Sequence, residues 1–527
     1  MKIPTLNKGL KMSILLAILL SGGVVAQTRL RTTAGMIDGA IHDDTGVRQF
    51  RGIPYAAPPV GDNRWRAPRP VAKWSGLRRA QRFGAACIQR VAGVRLPWSR
   101  EFMVQEEISE DCLFLNVWTA ARSGRERRPV LVYIHGGGYQ EGSGAIDVYD
   151  GSKLARKGLV VVTINYRLGI FGYLVHPELT AESQNHASGN YGMLDQIEAL
   201  RWVQRNIAAF GGDPARVTIA GQSAGASSVH NLTASPLAKG LFHRVIAESG
   251  SSITGLPTPS LAEGEKGGLA FAASKGAKSL RQLRAMTAEQ LMAMPAPTIR
   301  FAPVVDGWAL PQDAQAAIAA GRHHDLPVLT GLNADEASSQ PAYGRLTATA
   351  FTAQLRERYP ADAATLLRLY PATTDAEASI AQKEISRDRN RVSMHLWATR
   401  RARTSRTAAW TYYFTRAIPW PSNPQFGAFH TGEVPYVFGT LDRLDRPWQE
   451  KDREVSSAIM AYWVNFVTTG NPNGKGLVEW LAFDPEKART FEIGEQTGSR
   501  TVAEPDKLKF LTDYLQSARL LRGSILF

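Results

Sequence analysis

Cysteine is scarce in this chain, with only Cys87 and Cys112 among 527 residues. Two cysteines give no material for a dense disulfide scaffold. Long apolar runs are scarcer still. Ile14 to Leu20 is too short to cross a bilayer, which takes about 20 residues, and no other segment is a candidate span. Repeats, low-complexity tracts and linkers are missing as well. Their absence favours one large domain with long insertions over a string of small ones. Acidic residues are outnumbered, 47 Asp and Glu against 62 Lys and Arg, which leaves a formal charge of +15. A basic balance can signal nucleic acid or anionic surfaces. Here the charges are scattered, and the densest cluster, Arg122 to Arg128, reads as a solvated loop before Pro129 and a strand. No nucleic-acid motif accompanies it, so nucleic acid is not an expected partner. Weak attraction to anionic membranes or polymers remains compatible with the charge.

What is present begins with a leader. Lys2, Lys8 and Lys11 form a basic region, Ile14 to Leu20 an apolar one, and Val24-Val25-Ala26 a small-residue cleavage site. Residues 1–26 are therefore expected to be a signal peptide, with the mature chain starting near Gln27 and exported to the periplasm or beyond the cell. An uncleaved anchor is the alternative. An even cysteine pair in an exported chain is expected to be bonded, and closing that loop restricts the unfolded chain by about 3 kcal/mol in the loop-entropy model. Two buried free thiols are the other reading.

Strand and helix patterns alternate. Val130 to Ile134 and Leu159 to Ile164 are continuous apolar runs, as strands buried on both faces should be. Met193 to Ala209 has helical periodicity with Leu194, Ile197, Leu200, Trp202 and Ile207 inward. Val217 to Ala220, Val245 to Ala247, Pro327 to Thr330 and Ala409 to Phe414 read as further strands. Ile459, Tyr462, Trp463 and Phe466 share one face of a late helix. The expectation is an α/β fold, a mostly parallel sheet with helices on both faces. Residues 260 to 300 and 340 to 405 read as helical insertions that wall a pocket, or as bulk around the core.

Chemistry enters at Gly221-Gln222-Ser223-Ala224-Gly225, where an apolar run gives way to a helix-prone one. Strand, sharp turn and helix place a serine at the apex, where a base can reach its hydroxyl. In a chain with 47 glycines the pentapeptide alone is weak evidence, and an inert glycine-rich turn is the competing reading. Upstream, the strand ending at Ile134 runs into His135-Gly136-Gly137-Gly138-Tyr139. Three glycines can turn backbone N–H groups toward one negative oxygen. Ten histidines compete to be the base. His135 adjoins the glycines and is read as shaping that loop. His323 and His324 precede a core strand and are read as exposed. His430 lies in a loop after the aromatic strand, where open α/β sheets place their ligands. A satisfied loop histidine is an equal reading there. For the acid, Asp335 and Glu336 both follow a strand, and Asp335 can instead cap a helix.

Together these residues resemble the type-B carboxylesterases of the α/β-hydrolase fold, a family that includes the cholinesterases. The resemblance covers almost the whole mature chain, 27–527, as one domain. It runs through Gly52-Ile53-Pro54-Tyr55-Ala56, Ser109 to Asn116, Asn165-Tyr166-Arg167, Gly189-Asn190-Tyr191-Gly192 and Phe210-Gly211-Gly212-Asp213-Pro214. It implies Ser223 as nucleophile and His430 as base. Glu336, in Asn333-Ala334-Asp335-Glu336, matches the acid in preference to Asp335. Gly137, Gly138 and Ala224 match the oxyanion hole, and Ser249 a serine supporting the acid. Cys87 and Cys112 match the family's first disulfide. No metal or cofactor is implied, and the partner is an ester substrate, small-molecule or polymer-derived. Tyr139, Gln222 and Phe429 are expected in the substrate pocket. Many relatives carry Glu where this chain has Gln222, which weakens any case for a cationic choline ester. Ala337 stands where relatives often have Gly. The expected activity is serine carboxylester hydrolysis through an acyl-enzyme. A non-catalytic adhesion protein on the same fold, or a lipase, amidase or thioesterase with the same triad, are the rivals.

Overall fold

The computed structural model describes residues 28–91, 93–251, 258–293 and 301–517, so the leader expected over residues 1–26 lies outside the described residues. Eleven strands form one sheet. In chain order they are β1 (Ala40–Ile41), β2 (Arg48–Pro54), β3 (Phe114–Thr119), β4 (Arg128–Ile134), β5 (Val160–Ile164), β6 (Gly212–Gln222), β7 (Arg244–Glu248), β8 (Val328–Asn333), β9 (Ala409–Phe414), β10 (Arg489–Ile493) and β11 (Thr497–Thr501). In space they run β11-β10-β9-β8-β7-β6-β4-β5-β3-β2-β1. From β5 across to β10 every neighbouring pair is parallel. The two edges are antiparallel, β3 on β5 at one end and β11 on β10 at the other.

Burial on both faces explains the continuous apolar runs. Along β4, Val130, Val132 and Ile134 belong to the core on one face, and Leu131 and Tyr133 to the core on the other. Successive side chains point to opposite faces, so only a strand covered on both sides needs an apolar residue at every position. Each such Val, Leu or Ile contributes about 1.5–3 kcal/mol when fully buried. Helix α1 (Tyr191–Asn206) packs Ile197, Leu200 and Trp202 on the first face, together with α2 (Ala224–Ala234). The second face is covered by α4 (Glu450–Thr469) through Ile459, Tyr462, Trp463 and Phe466. Between them in sequence, α3 (Asp375–Ala402) closes the second insertion.

The motif residues outside the site are fixed by specific contacts. Arg167 grips Asp195 of α1 through Nε and Nη2, both at 2.7 Å, with neither side chain more than 3% exposed. Tyr166 donates its hydroxyl to His135 O at 2.8 Å. Cys87 and Cys112 are bonded to each other, as expected. His323 and His324 depart from their expected exposure. Both are half-buried, and His323 Nε2 lies 2.9 Å from Ser405 Oγ, because the turn that carries them is tucked against the end of α3. Among the described residues no helix is long and apolar enough to cross a membrane, and no group of three or more His, Cys, Asp or Glu is placed to hold a metal ion.

Candidate active site

The order of strands reverses around β4, with β5 on one side and β6 on the other. The chain therefore leaves the carboxyl ends of β4 and β6 side by side, Ile134 paired with Gly221. Such a crevice is where open parallel sheets bind ligands. Ser223 stands between β6 and α2 with φ 59° and ψ −122°, a conformation costly for a residue with a side chain. Its N–H is tied to Glu248 O at 2.8 Å. The turn is this tight because two glycines allow it. A Cβ on Gly225 would lie 2.0 Å from Ile134 O, and one on Gly221 would lie 2.5 Å from Gly225 C.

The loop after β4 returns beside it. Gly137 and Gly138 have φ 96° and 62°, and a Cβ on Gly137 would strike Glu141 O at 2.0 Å. Ala224 opens α2, so its N–H is among those a helix leaves without an internal acceptor. His135 is buried, holds Gly136 O at 2.8 Å through Nδ1 and stacks on Tyr166 at 4.4 Å. Burial pulls its pKa down to about 4, so it stays neutral and shapes the loop.

Glu336 enters from the end of β8. One carboxylate oxygen closes on His430 Nδ1, and the other accepts from Ser249 Oγ at 2.6 Å and from Asn333 N–H at 2.8 Å. The Glu336 side chain is 1% exposed and that of His430 20%. Burial disfavours the imidazolium, yet the charge and hydrogen bond of Glu336 outweigh it, helped by Glu433, and the His430 pKa is raised. Asp335, the other acid weighed from the sequence, caps no helix. It takes Arg387 Nη2 at 2.7 Å, Tyr343 OH at 2.9 Å and Ala428 N–H at 3.0 Å.

Ser223, His430, Gln222 and Gly136 to Gly138 line one cavity of about 760 Å³. No hydrogen bond joins Ser223 Oγ to His430 among the described residues. Instead Gln222 Nε2 lies 3.2 Å from His430 Nε2. Two expected pocket residues are not in the wall. Tyr139, at φ 65°, is turned under the loop edge-on to Tyr173, and is 5% exposed. Phe429 is 1% exposed behind Phe102, whose ring lines the cavity in its place. The insertions divide similarly. Phe271, Leu291 and Met292 of the first line the cavity. The second contributes nothing to that wall, because Phe351, Leu355, Tyr359, Leu366 and Tyr370 close a small core of their own.

Four further participants escaped the sequence reading. Trp98 donates its indole N–H to Thr431 Oγ1 at 2.8 Å, steadying the residue after His430. Asn333 Nδ2 donates to Phe429 O at 2.7 Å and to Glu433. Glu433 and Glu248 are both buried, Glu248 accepting from Trp463 Nε1 at 2.8 Å. Burial pushes each carboxyl up to about 8, and the charges of Glu248 and Glu336 add to the effect on Glu433. Asn333 stands inside a motif already singled out, so its type was visible while its task was not. Nothing local marks Trp98, which lies more than 300 positions from its partner.

The Carboxylesterase family model matches residues 26–511. The chain is 38% identical over 487 residues to fumonisin B1 esterase of Sphingopyxis macrogoltabida, covering 89% of this chain and 86% of that protein. It is 34% identical over 501 residues to para-nitrobenzyl esterase of Bacillus subtilis, covering 90% and 96%. It is 34% identical over 519 residues to human cocaine esterase, covering 90% and 89%.

Proposed function

The chain belongs to the carboxylesterase family and hydrolyses carboxylic esters, and on that premise we propose that it does so through Ser223, His430 and Glu336 by way of an acyl-enzyme. His430 Nε2 takes the Ser223 proton as Oγ attacks the ester carbonyl. Glu336 holds the Nδ1–H tautomer and offsets the imidazolium that forms. The N–H groups of Gly137, Gly138 and Ala224 receive the oxyanion, an arrangement in which each donor is worth about 3–4 kcal/mol. His430 then protonates the leaving alcohol. A water deprotonated by His430 releases the acid and restores Ser223. Ser249 keeps Glu336 aimed at the imidazole.

The observation that carries this reading is the closure of Glu336 on His430 Nδ1 beside a cavity that Ser223 also lines. Relatives named for fumonisin B1, cocaine and para-nitrobenzyl esters share most of the chain length. Gln222, uncharged beside His430, supports esters without a cation. Ser223→Ala should abolish hydrolysis of 4-nitrophenyl esters with the circular dichroism spectrum unchanged. In the same assay Glu336→Gln should lower kcat by about 10⁴-fold. Full residual activity in either variant rejects that residue's role.

We further infer that residues 1–26 are a signal peptide, that 27–527 form one domain, and that the enzyme is exported. The Cys87–Cys112 bond supports an oxidising compartment. Sequencing the N-terminus of the protein recovered outside the cytoplasm should begin near Gln27; an intact Met1 would overturn cleavage.

A further inference from the structure

Two cations converge on one short segment beside the cavity, and among the described residues neither is paired with an acid. Arg90 is exposed, lines the cavity, and donates through Nη2 to Met292 O at 3.0 Å. Lys275 is half-buried and donates through Nζ to the next carbonyl, Ala293 O. Its ammonium stands 5.5 Å from the centroid of Phe271. Met292 and Phe271 line the same cavity as Ser223. Among the described residues no carboxylate comes within ion-pair distance of either cation. Arg95, farther along the wall, makes the contrast: Glu141 neutralises it at 2.6 Å and Trp98 stacks under it at 5.2 Å. The Lys275 pKa is lowered, by burial first and then by the like charge of Arg90.

Holding two like charges on adjacent carbonyls of one short segment costs free energy. An anion placed between them relieves that cost and accepts hydrogen bonds from both. The rest of the wall is largely apolar, so an arriving substrate must bring its own charge to engage the pair. We propose that Arg90 and Lys275 form a carboxylate-binding subsite, and that the esters this enzyme prefers carry a free carboxylate remote from the scissile bond. The proposal rests on ester hydrolysis at Ser223 and names the substrate class of that same cavity. It extends the reading of Gln222: position 222 lacks the anion that a cationic ester would want, the wall's Glu141 is already paired with Arg95, and Arg90 and Lys275 are the cations that an anionic ester would want.

Two matched substrate pairs test it. On the acyl side, mono-4-nitrophenyl suberate is compared with 4-nitrophenyl octanoate; on the alcohol side, 8-acetoxyoctanoate with octyl acetate. For at least one pair the wild type should favour the carboxylate in kcat/KM, and added salt should shrink the ratio. Arg90→Gln and Lys275→Gln should each lower that ratio about threefold, and the double variant about tenfold. The charge-conserving pair Arg90→Lys with Lys275→Arg should restore it. Melting temperatures confirm that each variant is folded. No carboxylate preference in the wild type, or one that survives the double variant, overturns the subsite while leaving the esterase intact. A wild type that hydrolyses none of the four esters removes both the subsite and the reading beneath it.

Discussion

On one side of the loop that carries His430, Asp335 is gripped by Arg387 and Tyr343 and accepts the N–H of Ala428. On the other side Glu433 is held by Asn333, with Glu248 near it and, among the described residues, no guanidinium on either. All three acids are buried. Arg387 gives Asp335 a permanent counter-charge, and the pair can clamp the loop as a fixed strut. Glu433 and Glu248 face each other's field without a cation, and burial favours their protonated forms. Glu336 stands between the two regimes. Its counter-charge exists only while His430 is protonated, which is the state catalysis makes and unmakes. Similar burial thus yields a strut, a proton store and a working acid, according to where the cations are.

Removing the strut's cation should have the largest effect. Arg387→Met leaves Asp335, 7% exposed at its side chain, without a counter-charge. Breaking such a pair from one end costs about 3 kcal/mol in urea unfolding. Adding Asp335→Asn should recover much of that loss, because the penalty lies in the unpaired charge rather than in the missing contact. A loss in the single variant below about 0.5 kcal/mol would show that the guanidinium does not neutralise Asp335, and the contrast with Glu433 would fail.

The proton store is read through pH. A carboxyl whose folded pKa is raised from 4.5 to about 8 keeps its proton longer in the folded chain than in the unfolded one. Its stabilising share is complete below pH 4.5 and is lost as pH climbs toward 8, at no more than about 1.4 kcal/mol per pH unit per proton. Glu433→Gln keeps a neutral group on Asn333 and cannot ionise. Its urea midpoint should therefore fall less steeply than the wild type's between pH 5 and 9. The His430–Glu336 pair also weakens on this alkaline side, since a raised histidine loses its charge as pH rises through its folded pKa. Both proteins keep the Glu336 contact that supplies most of that contribution, and Glu433 adds only the last-ranked part of it, so the difference between them reports Glu433. Parallel slopes would mean that no proton is stored there.

How far the sequence disclosed this arrangement depends on the range of the forces involved. Apolar periodicity exposed β4 to β9 and the covering helices α1 and α4, since a strand buried on two faces must be apolar throughout. The antiparallel flanks, β1 to β3 and β10 with β11, were missed because the outermost strands, β1 and β11, need no such run and Asn116 interrupts the one in β3. Gly221, Gly225, Ser223 and the Gly136 to Gly138 loop were legible because their chemistry is written in adjacent residues. Tyr139 and Phe429 were misplaced for the opposite reason. Being next to a functional residue in sequence does not fix which way a side chain faces, and Phe102 reached the cavity from more than 300 positions away. The choice between Asp335 and Glu336 could not be made from local physics either, because Arg387 decides it from the far insertion.

The smallest expected effect asks to which regime position 222 belongs. Gln222 is fully buried yet borders the cavity, with its amide 3.2 Å from His430 Nε2. Gln222→Glu would set a second carboxyl against the imidazole on the side away from Glu336. Turnover needs neutral His430, so kcat/KM should rise with pH through the His430 pKa, which Glu336 already holds above 6.5 against the pull of burial. If the new carboxyl ionises, it stabilises the imidazolium further. The rising limb should then move to higher pH by up to about one unit, equivalent to 1.4 kcal/mol. Ionisation is expected because the imidazolium supplies the cation that Glu433 and Glu248 lack. A limb that stays in place would show the new side chain keeping its proton and joining the store behind it. The division between the two regimes would then run through the cavity wall itself rather than behind His430.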